Sequence, residues 1–126
     1  MTKTIVPRPA IEDISEGKTA TIASGASLSG AIDLEYLFVT EILIPSTFDG
    51  TAITFQKSDD NSTFYDLYDE DGVEINFPAS ASRIINISQV TKLYGFRYLK
   101  IRAGTAASPT AQTTTDTILT VMVRSL

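Results

Sequence analysis

Between Ile53 and Phe77 the chain passes from alternating apolar and polar positions to clusters of turn formers and back, twice. Ile53-Thr54-Phe55-Gln56 alternates, which is the period of a strand with one buried face. Ser58 to Ser62 is a run of short polar side chains that bond their own backbone and tolerate unusual φ. Strand chemistry resumes from Phe64 to Tyr68. Asp71-Gly72 supplies a second turn, where glycine takes positive φ without steric cost, and Val73 to Phe77 alternates again. The pattern predicts an antiparallel meander with Ile53, Phe55, Val73, Ile75 and Phe77 inward. In its middle strand Tyr65 and Leu67 inward is the clean choice, because the other face would bury Asp66 at a cost. A bulge could still turn Phe64 inward with Leu67.

The same pattern predicts further strands along the chain. Thr19 to Ala23 is short and weak, and Leu28 to Ile32 is a second short candidate after a small-residue corner. Leu37 to Ile44 is the most apolar run, too β-branched to prefer helix, and it stops at Pro45. Phe38, Thr40, Ile42 and Ile44 share one face; Leu37, Val39, Glu41 and Leu43 share the other. An antiparallel sheet normally keeps one polar face. This strand is therefore either central in a two-layer sandwich under a covering loop, or its second face meets another chain. Arg83 to Ser88 has Ile85 and Ile87 inward, followed by a turn from Thr91 to Gly95 with Tyr94 capping the core. Tyr98 to Ala103 puts Leu99, Ile101 and Ala103 on one face and Tyr98, Lys100 and Arg102 on the other. Gly104 to Asp116 reads as a long exposed loop of the kind that serves as a contact surface. Thr117 to Arg124 closes the chain with Leu119, Val121 and Val123 on one face and Ile118, Thr120 and Met122 on the other. About eight strands at sandwich spacing, with no convincing helix, predict an all-β fold: an antiparallel β-sandwich of jelly-roll type.

Residues 1–17 read as an extended arm ahead of a sandwich domain at 18–126. Pro7 and Pro9 force extended backbone there, and Ile5, Val6 and Ile11 are apolar islands. A frayed terminus and an arm reaching a neighbouring subunit both fit.

Composition narrows function mainly by exclusion. The 126 residues fit one domain, 43% hydrophobic and 20% charged. There is no Cys and no His, so thiolate zinc sites, cysteine nucleophiles and a Ser-His-Asp relay are all out of reach. Net charge is −5, and the basic residues are scattered apart from Arg97 to Arg102, which argues against nucleic acid. No apolar run has signal-peptide or membrane-span length, so neither export by a visible signal nor a membrane role is expected.

Asp59, Asp60, Asp66, Asp69, Glu70 and Asp71 invite a calcium reading. Leu67 stands where an EF-hand's first ligand belongs, and two solvated turns account for the acids. Paired carboxylates can hydrolyse sugars, but the chain is short and has no Trp. Tyr36, Tyr65, Tyr68, Tyr94 and Tyr98 suit sugar stacking, and suit core or interface packing better. No enzyme activity, metal or cofactor is expected.

Three stretches together resemble a known class. They are Leu34 to Gly72 with its Ile44-Pro45 stop and Thr54 to Asp59 strand, the run Gly95 to Gly104, and the Ala107 to Thr113 loop with the closing strand. This layout resembles the jelly-roll proteins that decorate or cement the capsids of tailed bacteriophages. The resemblance implies a non-enzymatic virion structural protein, a homotrimer on the capsid surface bound to the major capsid protein and assembled in the bacterial cytoplasm. Ile5, Val6, Ile11, Leu37, Val39, Leu43, Ile118 and Met122 are the candidate partner contacts. The Ser-Asp-Asp…Phe and Arg-Tyr-Leu-Lys-Ile segments are also similar to discoidin-type modules, which implies carbohydrate binding or a tail or host-attachment role as the alternative. Those modules carry a Trp and exposed aromatic spikes that this sequence lacks.

Overall fold

Strands with one apolar face have to bury it against a second layer, and here two antiparallel sheets do this for each other. The computed structural model describes residues 15–125. Its strands are β1 (Ser15–Ile22), β2 (Ile32–Asp33), β3 (Phe38–Ile44), β4 (Ala52–Ser58), β5 (Tyr65–Asp66), β6 (Phe77–Pro78), β7 (Arg83–Asn86), β8 (Tyr98–Ala103) and β9 (Thr117–Arg124), with a 3₁₀ turn at Val90–Leu93. One sheet runs β1-β9-β3-β7 and the other β2-β8-β4-β5, with β6 paired to the far end of β4.

Folded in half, the chain becomes a two-stranded ribbon. β1 pairs with β9, β2 with β8, β3 with β7 and β4 with β5. Successive rungs fall in alternate sheets until β4 and β5 close the ribbon. Rolling such a ribbon over a common core is the jelly roll. The sequence-based expectation of an all-β jelly-roll sandwich is met, though of the strand expected at Val73 to Phe77 only Phe77 lies in one, the short β6.

The core is built from the inward residues of both sheets. Ala20, Ile22, Val39, Ile42, Ile44, Leu119, Val121 and Val123 come from one; Ile53, Phe55, Leu99, Ile101 and Ala103 come from the other. Phe77 lies edge-on to Phe55, ring centroids 5.7 Å apart, a favoured aromatic geometry.

Several local expectations change. The sheet already holds Ser15 to Gly17, so the arm read at 1–17 is too long, and Ile5, Val6 and Ile11 lie outside the described residues. Only Ile32–Asp33 of the second candidate strand pairs as a strand, while Leu28 makes a single bridge to Arg102. Val73 is exposed rather than inward, because Asp69 to Val73 is a tight turn tied by the Asp69 side chain to the Asp71 and Val73 amides.

The largest change is in β3. Register with β9 slips between Val39 and Glu41, a bulge that inserts one residue and flips the faces beyond it. Val39 is opposite inward-facing Val123, and Ile42 is opposite inward-facing Val121. Both therefore point into the core. Phe38 is pushed off that face and stacks flat on Tyr94 at 3.9 Å.

Candidate interaction surface

The outer face of the β1-β9-β3-β7 sheet follows from that flip. Beyond the bulge, Leu43 points outward, opposite Ile84 of β7 and Thr120 of β9. The alternation of β9 adds Ile118 and Met122 on the same side. Ile84 is 60% and Ile118 52% exposed, unusual for isoleucine at mid-strand. Leu43, Pro45, Arg83, Ile84, Ile118 and Thr120 line an open groove of about 620 Å³. Gly17 of β1 keeps this face smooth, since a Cβ there would meet Thr120 Cγ2 at 3.2 Å and Met122 Sδ at 3.3 Å.

Leu43, Ile118 and Met122 of the sequence-predicted contacts thus sit together here. Leu37 and Val39 do not: they are 9% and 0% exposed, inside the core, and are withdrawn as contact residues. The bulge is the reason. Ile84 was missed because only the inward residues of Arg83 to Ser88, Ile85 and Ile87, were singled out in that strand.

On the opposite sheet the outer face is polar and spent on itself. Arg102 is 6% exposed. Its guanidinium donates to Thr54 Oγ1 at 3.2 Å, to Glu74 at 3.3 Å and to Asp66. Thr54 passes its own proton to the Gly104 carbonyl at 2.8 Å, Gln56 donates to Asp66 at 3.1 Å, and the Ala106 amide donates to Glu74 at 3.1 Å. The Arg102 hydrogen bond, helped by Gln56, holds the Asp66 carboxyl below the usual carboxylate range. This network pins the hairpin from β5 to β6 onto β4 and β8.

The other acids are bound into turns. Asp60 accepts the amides of Thr63 and Ser62 and the Ser58 hydroxyl, which together bring its pKa down to about 2. Asp33 forms a two-pronged ion pair with Arg97, which lowers the Asp33 pKa and raises that of Arg97. Burial disfavours the charged form of Lys18, but Glu35 and Glu16 outweigh it and raise its pKa. Carboxylate oxygens of Asp69, Glu70 and Asp71 lie within 4.8 Å of one another at the hairpin tip. One Asp69 oxygen is committed to the turn amides, so turn chemistry accounts for the cluster's geometry.

The segment after β8 was expected to be an exposed loop. Its tip, Ala107 to Pro109, is exposed, but Gln112 is fully buried. Gln112 donates to the Asp49 carbonyl at 2.8 Å and accepts from the Asp49 amide at 2.9 Å and the Thr117 hydroxyl at 2.8 Å. Thr113 donates twice to the Asp49 carboxylate. The loop is stitched to the β3–β4 connection. A lone glutamine amid Thr and Ala was the available signal, because a buried amide must find partners for both its ends.

Among the described residues no buried side-chain polar atom lacks a hydrogen-bond partner. No protein-family model matches the chain, and no curated protein matches it.

Proposed function

We propose that the protein is a non-enzymatic virion structural protein of a tailed bacteriophage, a capsid decoration protein that braces the head by binding major capsid subunits as a homotrimer. One observation carries the contact part of this reading: a solvent-facing apolar groove, Leu43–Ile84–Ile118, on the outer face of the β1-β9-β3-β7 sheet. Exposed apolar groups that gather on one rigid face mark an interaction surface. The capsid as partner rests on the resemblance of the strand layout and of the Gly95 to Gly104 run to capsid-decorating jelly rolls. Buried surface supplies the affinity. A standard interface covers about 800 Å² per partner, and many copies on one shell multiply its bracing effect.

The test is co-sedimentation of the purified full chain with empty heads assembled from a tailed-bacteriophage major capsid protein. Wild type pellets with the heads, and light scattering gives a trimer. Ile84→Glu with Ile118→Glu removes two apolar contacts worth about 1.5–3 kcal/mol each, so binding weakens by about 100-fold or more while the melting temperature holds. Wild type that stays in the supernatant, or a double variant that binds as well as wild type, overturns the proposal.

A further inference from the structure

The hairpin from β5 to β6 and the segment Gln89 to Phe96 face each other across a second cleft, of about 650 Å³. It shares no lining residue with the apolar groove. Its floor is apolar, with Ile75 and Phe96 buried. Its walls carry two tyrosines, Tyr68 at 50% and Tyr94 at 44% exposure. Tyr94 lies flat on Phe38 at 3.9 Å, which fixes the plane of its ring. The rim adds Asp69, Glu70, Gln89 and Lys92.

Several of this cleft's side chains keep hydrogen-bonding capacity, although Lys92 Nζ also lies 6.0 Å over the Phe77 ring. The Gln89 amide, the Lys92 ammonium and both tyrosine hydroxyls make no hydrogen bond to other described residues. In the Arg102 network and the Asp60 turn, by contrast, each such group is committed. Asp69 has its orientation fixed by the turn amides that hold one of its oxygens.

We infer that this cleft binds a neutral saccharide. Aromatic faces accept the C–H face of a sugar ring. An amide, an ammonium and a carboxylate together offer donors and acceptors to its hydroxyls. A free anion would meet Asp69 and Glu70, and a cation would meet Lys92. A wholly apolar ligand would leave the rim groups stripped of water without replacement. A concave site with an apolar floor and a few convergent polar groups is the usual form of a small-ligand site.

The test is a glycan array of neutral hexose and N-acetylhexosamine oligosaccharides probed with the labelled full chain. The strongest hit is then titrated while backbone amide NMR shifts are followed. Saturable binding is expected, with shifts confined to the hairpin and to Gln89 to Phe96. Tyr68→Ala, at an exposed position, weakens it about tenfold, the equivalent of one stacking contact, and leaves the melting temperature unchanged. Gln89→Ala weakens it as well. No saturable binding to any printed glycan, shifts elsewhere on the surface, or full affinity in both variants overturns the inference. None of those results touches the capsid reading, which the Ile84 and Ile118 variants test separately.

Discussion

Replacing Arg102 with methionine tests the claim that one buried cation holds the β5–β6 hairpin in place. Methionine keeps most of the aliphatic packing of the arginine stem, so the loss is chiefly electrostatic. The two carboxylates left behind differ. The side chain of Glu74 is 16% exposed and that of Asp66 37%. Asp66 rehydrates and costs little, while Glu74 keeps only the Ala106 amide. Breaking a buried pair from one side costs about 3–5 kcal/mol, and the partial exposure of Asp66 places this case near the low end, about 3 kcal/mol. For a domain of this size that lowers the melting temperature by about 10 °C. Urea unfolding at pH 7 reads the loss directly as a lower midpoint at unchanged slope. Adding Asp66→Asn and Glu74→Gln removes the orphaned charges and recovers more than half of it. The effect also has a pH signature. Asp66 has a folded pKa below its unfolded value, so its contribution is complete above the unfolded pKa of about 3.9 and is lost as pH falls through the folded one. The gap between wild type and Arg102→Met is therefore widest at neutral pH and narrows in acid. A variant within about 0.5 kcal/mol of wild type at pH 7, the range of an ordinary surface change, or a gap that widens in acid, refutes the reasoning.

Two backbone predictions accompany it. A Cβ at Gly104, where φ is +89°, would stand 2.5 Å from the Ser108 carbonyl oxygen and 2.8 Å from the Thr110 amide. At Gly25, φ +87°, nothing lies within 4 Å. Gly25→Ala then costs only the left-handed backbone, about 1 kcal/mol, and Gly104→Ala at least about 2 kcal/mol more; equal losses in urea unfolding would show that the loop after β8 is not packed as described. Glu35 and Tyr36 occupy the centre of the turn closed by the Leu37 amide on the Leu34 carbonyl, at φ 54° and 62°, a conformation that favours Asn-Gly. Tyr36 is 57% exposed and gives up little packing, so Tyr36→Gly raises stability by about 0.5–1 kcal/mol; a lowered unfolding midpoint would refute the strain argument.

Most of the sandwich was legible because its evidence is local. Period-two alternation in β4, β8 and β9, and the stop at Pro45, are written in neighbouring residues, and strand spacing carries the fold class. Short strands were harder. β2 and β5 each hold only two residues, so they exist by virtue of a long neighbour, and their own side chains announce little. β5 was half readable: the cost of burying Asp66 placed it on the outer face, where it meets Arg102, but Tyr65, expected inward, is 66% exposed at the sheet edge. The partner, Arg102, sits 36 positions away and was read only as part of a basic outer surface.

The contact face shows why strand-level reading runs out at one residue. Leu37 to Ile44 has apolar side chains at nearly every position, so either face could have been the buried one, and alternation could not choose between them. The choice is made in β9, whose cleaner pattern fixes Val121 and Val123 inward and forces β3 to present Val39 and Ile42 to the same side. Those two are three apart, and strand alternation allows only even spacing. A bulge at Thr40 absorbs the odd residue, and the Thr40 hydroxyl donates to the Met122 carbonyl at 3.3 Å across it. The same step sends Leu43 out to meet Ile84 and Ile118. One inserted residue therefore both fills the core and creates the apolar groove. Deleting Thr40 would leave a regular strand with Val39 and Ile42 still inward and Leu43 still opposite Thr120, whereas closing the bulge with Thr40 kept would turn Leu43 inward and take Ile42 off Val121.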